Sequence, residues 1–434
     1  MKISNYIIAT RKDNKVVLYS TITTALLVVS AEAYDQIFCS NDFHDTEVVQ
    51  QLYQYGFLIN DDFDEVKFLE QLREKDIEKP LPVITIYTTT NCNARCYYCF
   101  EKGISSMDMT PETASQVVSF IKNTFEGKKI QIMWFGGEPL MNFSIIKQIT
   151  TELHHDGYEL LTHITTNGAL LTQEMLSFFR AYYSQISIQV TIDELHEAYA
   201  KIKRYIDIPP ELAFKRVIDN CKLIINSQIY LSIRINYLEQ NINRATQIFE
   251  EIERIFQPFN HLMLNIYLAP ITLDPGCNTC VSEVDASFKK VIKFHRDHNV
   301  INIRAKDEDQ QVLSSFCLLP KSGSCGAHRR NNIVVRADGV LFKCHRLAND
   351  DIYNVGNIYD GINYNSANYT SFVSHKIDDE TCVKCNVLPL CQGGCSVIKM
   401  LYDRNMECDI KNVQESMLKD YYDYLIEQNK QDCV

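Results

Sequence analysis

From residue 83 onward the chain alternates two kinds of segment whose hydrophobic periods differ. Short runs rich in β-branched and aromatic residues (VITIYTTT, KIQIMWF, YELLTHITT, ISIQVTI, IYLSIRIN and LMLNIYL) are separated by longer stretches with helical spacing. The helical stretches are PETASQVVSFIKNTF, opened by Pro111, then FSIIKQITTELHH, QEMLSFFRAYY, PELAFKRVIDNCKLII and NRATQIFEEIERIF. Six strands interleaved with five helices are the mark of βαβ units on a parallel sheet, so an α/β fold is predicted. Six repeats suit a curved partial barrel, (β/α)6, better than a flat doubly wound sheet, although the spacing alone does not separate the two.

In such folds polar groups with work to do gather just past the C-terminal ends of the strands. NCNARCYYC follows the first strand here, and GGEP (Gly136 to Pro139) follows the second. TTNG (Thr165 to Gly168) closes the third, Thr191 and Asp193 the fourth, and Arg234 and Asn236 the fifth. Five such ends pointing the same way predict one site.

The flanking regions read differently. Residues 1–78 hold two alternating segments, NYIIAT and KVVLYS, around the turn-like RKDN, which predicts a hairpin. Helical patterns in AEAYDQIF and TEVVQQLYQYGF, a short apolar FLIN and a charged helix DEVKFLEQLREK follow. Hairpin plus short helices is a winged-helix-like arrangement. EKPLP at 78–82 is read as a linker, because its prolines keep helix from running through. The barrel is expected over 83–300 and a cysteine-rich domain over 310–434.

A formal charge of −12 argues against a phosphate-tracking nucleic-acid binder. The acidic DDFDE at 61–65 argues against a DNA-binding winged helix in particular. The N-terminus has no signal-peptide core. The longest apolar runs, such as ALLVV at 25–29, are too short to cross a bilayer. The expectation is a cytoplasmic chain with neither a membrane nor a nucleic acid among its partners.

The 16 cysteines then need a reason, since the cytosol disfavours disulfides and clustered thiols there more often bind metal. Cys92, Cys96 and Cys99 are spaced C-x3-C-x2-C within a few positions. Thiolates are the standard ligands of iron–sulfur clusters. Three on one loop can hold three irons of a cubane and leave the fourth open, as catalytic metal sites leave a position open. A zinc site of three cysteines completed by a distant histidine, or thiols that merely fill space, are the other readings.

This loop after a first strand, with Tyr98 before its last cysteine, resembles the radical S-adenosylmethionine (SAM) superfamily. The resemblance implies that Cys92, Cys96 and Cys99 hold a [4Fe–4S] cluster whose open iron is chelated by SAM. It also implies that one electron cleaves SAM to methionine and a 5′-deoxyadenosyl radical. GGEP is similar to the family's glycine-rich motif, by which Gly136 and Gly137 admit the methionyl group and Glu138 receives its ammonium. Tyr98 would meet the adenine. Asn167, Thr191, Asp193 and Arg234 stand where members contact the ribose or carboxylate. Glu194 follows Asp193, where many members have glycine.

The last third resembles the SPASM cysteine pattern: Cys325, Gly339 and Cys344, then Cys382, Cys385, Cys391 and Cys395, then Cys408. That resemblance implies two auxiliary [4Fe–4S] clusters, three clusters in all. Cys325, Cys344 and Cys395 would serve the first, and Cys382, Cys385, Cys391 and Cys408 the second. Cys317 is placed to complete the first as in sulfatase-maturating relatives, although some peptide maturases leave that iron for a substrate thiolate. Cys39, Cys221, Cys277, Cys280 and Cys433 remain, with Cys221 in an apolar helix. Residues 1–78 resemble the peptide-recognition domain of peptide-modifying members, which bind a leader by strand addition.

The function so implied is maturation of a ribosomally made precursor peptide carrying a leader, with a flavodoxin- or ferredoxin-like electron donor. The expected product is a thioether of the ranthipeptide or sactipeptide kind. Carbon–carbon crosslinking and sulfatase-type formylglycine formation are the alternatives within the family. An iron–sulfur electron carrier that never cleaves SAM, and a leader-binding adaptor without chemistry, are readings from other classes.

Overall fold

The computed structural model describes every residue except 45–46, 260, 272–283, 299, 301–306, 324, 402–409 and 432–434. It divides into two compact units. One joins Met1–Ile77, Val281–Cys325 and Ser374–Val434; the other joins Glu78–Cys280 and Gly326–Val373.

In the first unit, strand β1 (Lys2–Ile3) pairs antiparallel with β5 (Leu58–Ile59). Strands β2 (Ile7–Lys12), β3 (Lys15–Ser20) and β4 (Leu26–Ser30) form an antiparallel sheet in that order. ALLVV, in the sequence only an apolar run, supplies this third strand. Ser30 ends it and caps helix α1 (Ala31–Tyr34) by accepting from the Ala33 N–H at 3.1 Å. Helices α2 (Glu47–Gln54) and α3 (Glu65–Ile77) follow.

The middle strand β3 decides the packing. Successive strand residues point to opposite faces, and KVVLYS is apolar on both. Val16 and Leu18 enter a core with Val49, Leu52 and Phe57. Val17 and Tyr19 enter another with Leu313, Phe316, Leu318, Val387, Leu390 and Leu418. The N-terminal hairpin and the cysteine-rich C-terminal segment thus share one hydrophobic core. Hydrogen bonds seal it: Tyr19 Oη donates to the Leu318 carbonyl at 2.6 Å, Tyr6 Oη to Val383 at 3.2 Å, and Thr21 Oγ1 to Asn386 at 2.8 Å.

The second unit carries the predicted parallel sheet. Strands β6 (Val83–Tyr87), β7 (Lys129–Phe135), β8 (Glu159–Thr166), β9 (Gln185–Thr191), β10 (Tyr230–Tyr237) and β11 (Leu264–Pro270) pair in chain order, all parallel. The connecting helices are α4 (Pro111–Thr124), α5 (Phe143–His155), α6 (Gln173–Tyr182), α7 (His196–Lys203), α8 (Pro210–Asn226) and α9 (Ile242–Phe256). The α/β class is as expected from the alternating periods. The six-strand expectation is short by two, because β12 (Asn332–Val335) adds parallel to the outside of β6 and β13 (Leu341–Phe342) folds antiparallel onto it. These strands are four and two residues long, below the length at which period can be read from sequence.

Along β7, Ile130, Ile132 and Trp134 are buried while Gln131, Met133 and Phe135 are half-exposed; β9 and most of β8, β10 and β11 alternate in the same way, whereas β6 is buried on both faces from Ile84 to Tyr87. The half-exposed face is polar. Thr165, Gln189, Ser232 and Asn265 form one rung across β8 to β11, and Thr191, Arg234 and Tyr267 form the next.

Tyr19→Phe should leave the buried Leu318 carbonyl without its donor and cost about 1–2 kcal/mol in a chemical-denaturation experiment.

Candidate active site

The cysteine loop leaves the end of β6 and returns through a stapled neck. The Thr90 N–H donates to the Met107 carbonyl and the Met109 N–H to Thr88, both at 2.9 Å. Thr89 Oγ1 donates to the Asp108 carboxylate at 2.5 Å, and Thr90 Oγ1 to the Ser105 carbonyl at 2.8 Å. The hydroxyls of Thr89 and Thr90 therefore close the loop that carries Cys92, Cys96 and Cys99.

The second strand end is pressed against this neck. A Cβ on Gly137 would lie 2.2 Å from the Asn91 carbonyl oxygen, and one on Gly136, whose φ is +113°, would lie 2.3 Å from that of Thr89. Only glycine permits such contact between backbones. The Gly137 and Glu138 N–H groups donate across it to Thr89 and Asn91 at 3.1 and 2.8 Å.

Glu138, expected to receive an ammonium, is 0 % exposed. Its carboxylate accepts from the Leu140 N–H (3.2 Å), Thr166 Oγ1 (2.7 Å) and the Asn167 N–H (2.8 Å). Burial pushes its carboxyl up to about 7 despite these donors. The side chain thus fastens the ends of β7 and β8 together. Asn167 in turn donates from Nδ2 to Asn93 Oδ1 at 2.7 Å, which reaches the cysteine loop.

A second knot holds the other side of the loop. Tyr98 donates its phenol to Asp193, Lys203 Nζ lies 2.8 Å from the same carboxylate, and Lys203 also donates to Tyr98 Oη at 2.9 Å. The other Asp193 oxygen accepts from the Asn236 N–H at 3.1 Å, tying in the end of β10. The side chains of Lys203 and Asp193 are 3 % and 4 % exposed. Burial alone would depress the Lys203 ammonium, but Asp193, Tyr98 and Cys96 outweigh it and hold its pKa well above the usual lysine value. The Lys203 carbonyl accepts from the Arg95 N–H at 2.7 Å, so this residue grips the loop by backbone and side chain.

The structure therefore gathers Cys92, Cys96, Cys99, Tyr98, Gly136, Gly137, Glu138, Asn167 and Asp193 at adjoining strand ends. Thr191 and Arg234 sit side by side on the polar rung below, where Arg234 Nε donates to Asn236 Oδ1 at 2.8 Å. Sequence reasoning missed Lys203, Asn93 and His345. For Lys203 the available signal was a lysine one helical turn beyond Tyr199, on the face of α7 that the structure buries. His345 follows Cys344, and burial together with Arg346 and Arg234 holds its imidazole down to about 4.

The donor set fits an iron–sulfur cluster. Burial pushes the Cys92 thiol up to about 12, with Glu138, Cys96 and Cys99 adding to the rise, and Cys99 is raised by burial too. Three crowded sulfurs become thiolates readily only against a strong local positive charge, which bound iron supplies. The Glu101 Oε1 atom is buried beside them without a hydrogen-bond partner. No three His, Cys, Asp or Glu side chains converge on a single metal-ion position among the described residues. Cys317, Cys325, Cys382, Cys385, Cys391 and Cys395 belong to the first unit and Cys344 to the second. Cys408, Cys277, Cys280 and Cys433 lie outside the described residues.

Lys203→Met should strand a buried carboxylate and cost about 3–5 kcal/mol by denaturant titration, with Asp193→Asn in the same chain restoring part of the loss. His163, 2.8 Å from Ser187 Oγ on the polar face, is held by burial at about 4 against an ordinary 6.5. The folded chain binds that proton less readily, so the contribution is full above about 6.5 and is lost as pH falls through about 4. His163→Gln should flatten the stability–pH curve in that window.

Comparison with known proteins agrees with this geometry. Residues 86–252 match the radical SAM superfamily. The chain is 21% identical over 425 residues to the radical SAM cyclopropyl synthase TigE of Paramaledivibacter caminithermalis, covering 87% of this chain and 82% of that protein. It is 22% identical over 355 residues to the cysteine-type anaerobic sulfatase-maturating enzyme of Clostridium novyi, covering 73% and 88%. The solved structure "Native anSMEcpe with bound AdoMet and Cp18Cys peptide" shares the fold with a TM-score of 0.60 at 19% identity, over 81% of this chain and 99% of that one. The chain carries, at residues 86–252, a radical SAM superfamily domain.

Proposed function

We propose that this enzyme is a SPASM-type maturase of a ribosomally made peptide, and that it joins a cysteine sulfur of that peptide to a carbon of another residue. The observation that carries the reading is the three-thiol loop clamped between the glycine pair and the Tyr98–Asp193–Lys203 knot. When bound there, a cluster and SAM supply one-electron cleavage of a sulfonium and, through it, removal of a hydrogen atom from substrate.

The chain's own residues do the holding. Cys92, Cys96 and Cys99 are the ligands, and the two clamps fix the loop that presents them. Glu138 is closed to solvent, so the methionyl end of SAM is assigned to the backbone around Gly137, which stays half-exposed. Asn167 and Tyr98 border the same opening. Below it, Arg234, Gln189 and Tyr267 form a polar wall, with Tyr267 Oη donating to Gln189 Oε1 at 2.6 Å, suited to the amides of a peptide. The SPASM-type cysteines hold two auxiliary clusters in this reading, and a flavodoxin- or ferredoxin-like protein of the cytoplasm provides the electron.

The leader is assigned to strand β4. Its outer edge has no strand partner among the described residues. On the other edge strand, β2, Lys12 is paired with Asp423 of the C-terminal helix Ile410–Gln431. An open edge offers unpaired N–H and C=O groups to an extended peptide. The solved neighbour with bound AdoMet and Cp18Cys peptide supports peptide chemistry, and similarity to a sulfatase-maturating enzyme leaves formylglycine formation as the second reading.

Anaerobically reconstituted protein with dithionite should release 5′-deoxyadenosine from SAM, and Cys96→Ala should abolish the release. Mass spectrometry of a coexpressed precursor peptide should show two hydrogens lost per link, with the cysteine thiol no longer open to alkylation. Loss of two hydrogens with an alkylatable thiol would mean a carbon–carbon link, and loss of the sulfur would mean formylglycine.

A further inference from the structure

We propose that the rings of Phe100, Phe135 and His345 form an electron bridge between the Cys92–Cys99 loop and the turn that carries Cys344. This rests on the reading that both sets of cysteines hold iron–sulfur clusters. Phe100 directly follows Cys99, and His345 directly follows Cys344. Their rings lie 5.9 Å apart between centroids, and Phe135 from β7 packs on both, at 6.3 Å from Phe100 and 5.0 Å from His345. These are contact distances for aromatic pairs.

The contact is held from several sides. Asn349 Nδ2 donates to the Phe100 carbonyl at 3.0 Å, and Tyr87 Oη donates to that of His345 at 3.1 Å. Tyr87 packs 5.5 Å from Phe135 and shares a buried cluster with Val334, Phe342 and Ala348. Just ahead of Cys344, Lys343 Nζ donates to the carbonyls of Arg329 and Asn332 at 2.7 and 2.6 Å. None of these interactions is needed to bind a metal, yet together they bring the residues next to two cluster ligands into one packed group.

Electron tunnelling weakens less steeply through bonded and closely packed atoms than across a gap. The bonds from Cys99 to the Phe100 ring, the ring contacts, and the bonds from His345 back to Cys344 make an unbroken path. With clusters held by the cysteines at either end, the rings would carry one electron from the reduced cluster, which becomes oxidised, to the oxidised one, which becomes reduced. No bond forms or breaks, and no proton moves.

The test uses the full chain, anaerobically reconstituted, in wild-type, Phe135→Leu and Phe135→Tyr forms. Each is mixed with less than one equivalent of dithionite and freeze-quenched, and electron paramagnetic resonance follows equilibration between the two cluster signals. Phe135→Leu should slow equilibration by about an order of magnitude while iron content and both midpoint potentials stay at wild-type values, and Phe135→Tyr should recover most of the rate. Equal rates in all three forms would overturn the bridge. Loss of iron or shifted potentials in Phe135→Leu would overturn it as well, by assigning the rings to packing. Wild-type protein with iron for a single cluster, or with no spectral response to SAM, would instead defeat the functional reading on which the bridge rests.

Discussion

The contact of Gly136 and Gly137 with the carbonyls of Thr89, Thr90 and Asn91 is the constraint on which the top of the sheet depends. Two backbones meet there at a distance no side chain would allow, so the end of the second strand becomes a wall for the neck of the cysteine loop. Glu138 passes the constraint on to the third strand through Thr166 and Asn167, and Asn167 returns it to the loop through Asn93. A buried carboxylate held by three donors is costly to bury but exacting in position. The loop is thereby presented as a rigid surface, the condition for ligands that must keep their geometry while a substrate comes and goes.

The electrostatics of the same region reinforce it. A chain with a net charge of −12 places one buried lysine against the loop, where Lys203 meets Asp193, the phenol of Tyr98 and the influence of Cys96. In a low-dielectric interior such a pair is neutral to stability at best but strongly orienting. Tyr98 has no freedom to swing away from its place before Cys99, because both its neighbours in the knot are themselves fixed to β10 or α7.

Much of this was legible in the sequence, for identifiable reasons. The parallel sheet announces itself because each strand carries a buried apolar set on one face and each helix a wide apolar stripe. The motif positions follow from the rule that loops after parallel strands share one end of a sheet. What could not be read is contact between residues far apart in the chain. Lys203 looks like any helical lysine until Asp193 is opposite it. β12 is too short to show a period, and its identity as a strand comes from pairing with β6. KVVLYS reads as one alternating arm of a hairpin, and nothing local says that its second face is covered by residues beyond 310. Glu138 reads in the sequence as the residue that receives an ammonium, and only the three donors around it show that its carboxylate belongs to the interior.

Both units are sewn from distant stretches of chain. The first strand of the parallel sheet has β12 on its outer side, and the N-terminal β-strands bury one face under segments that come last. A ribosome delivers the early strands well before the segments that cover them, so an emerging polypeptide carries unfinished apolar surfaces and an unpaired strand margin until the residues beyond 310 have been made. Truncation by a premature stop would therefore leave two incomplete bodies rather than one good domain and one missing, and the cell would meet it as a client for chaperones.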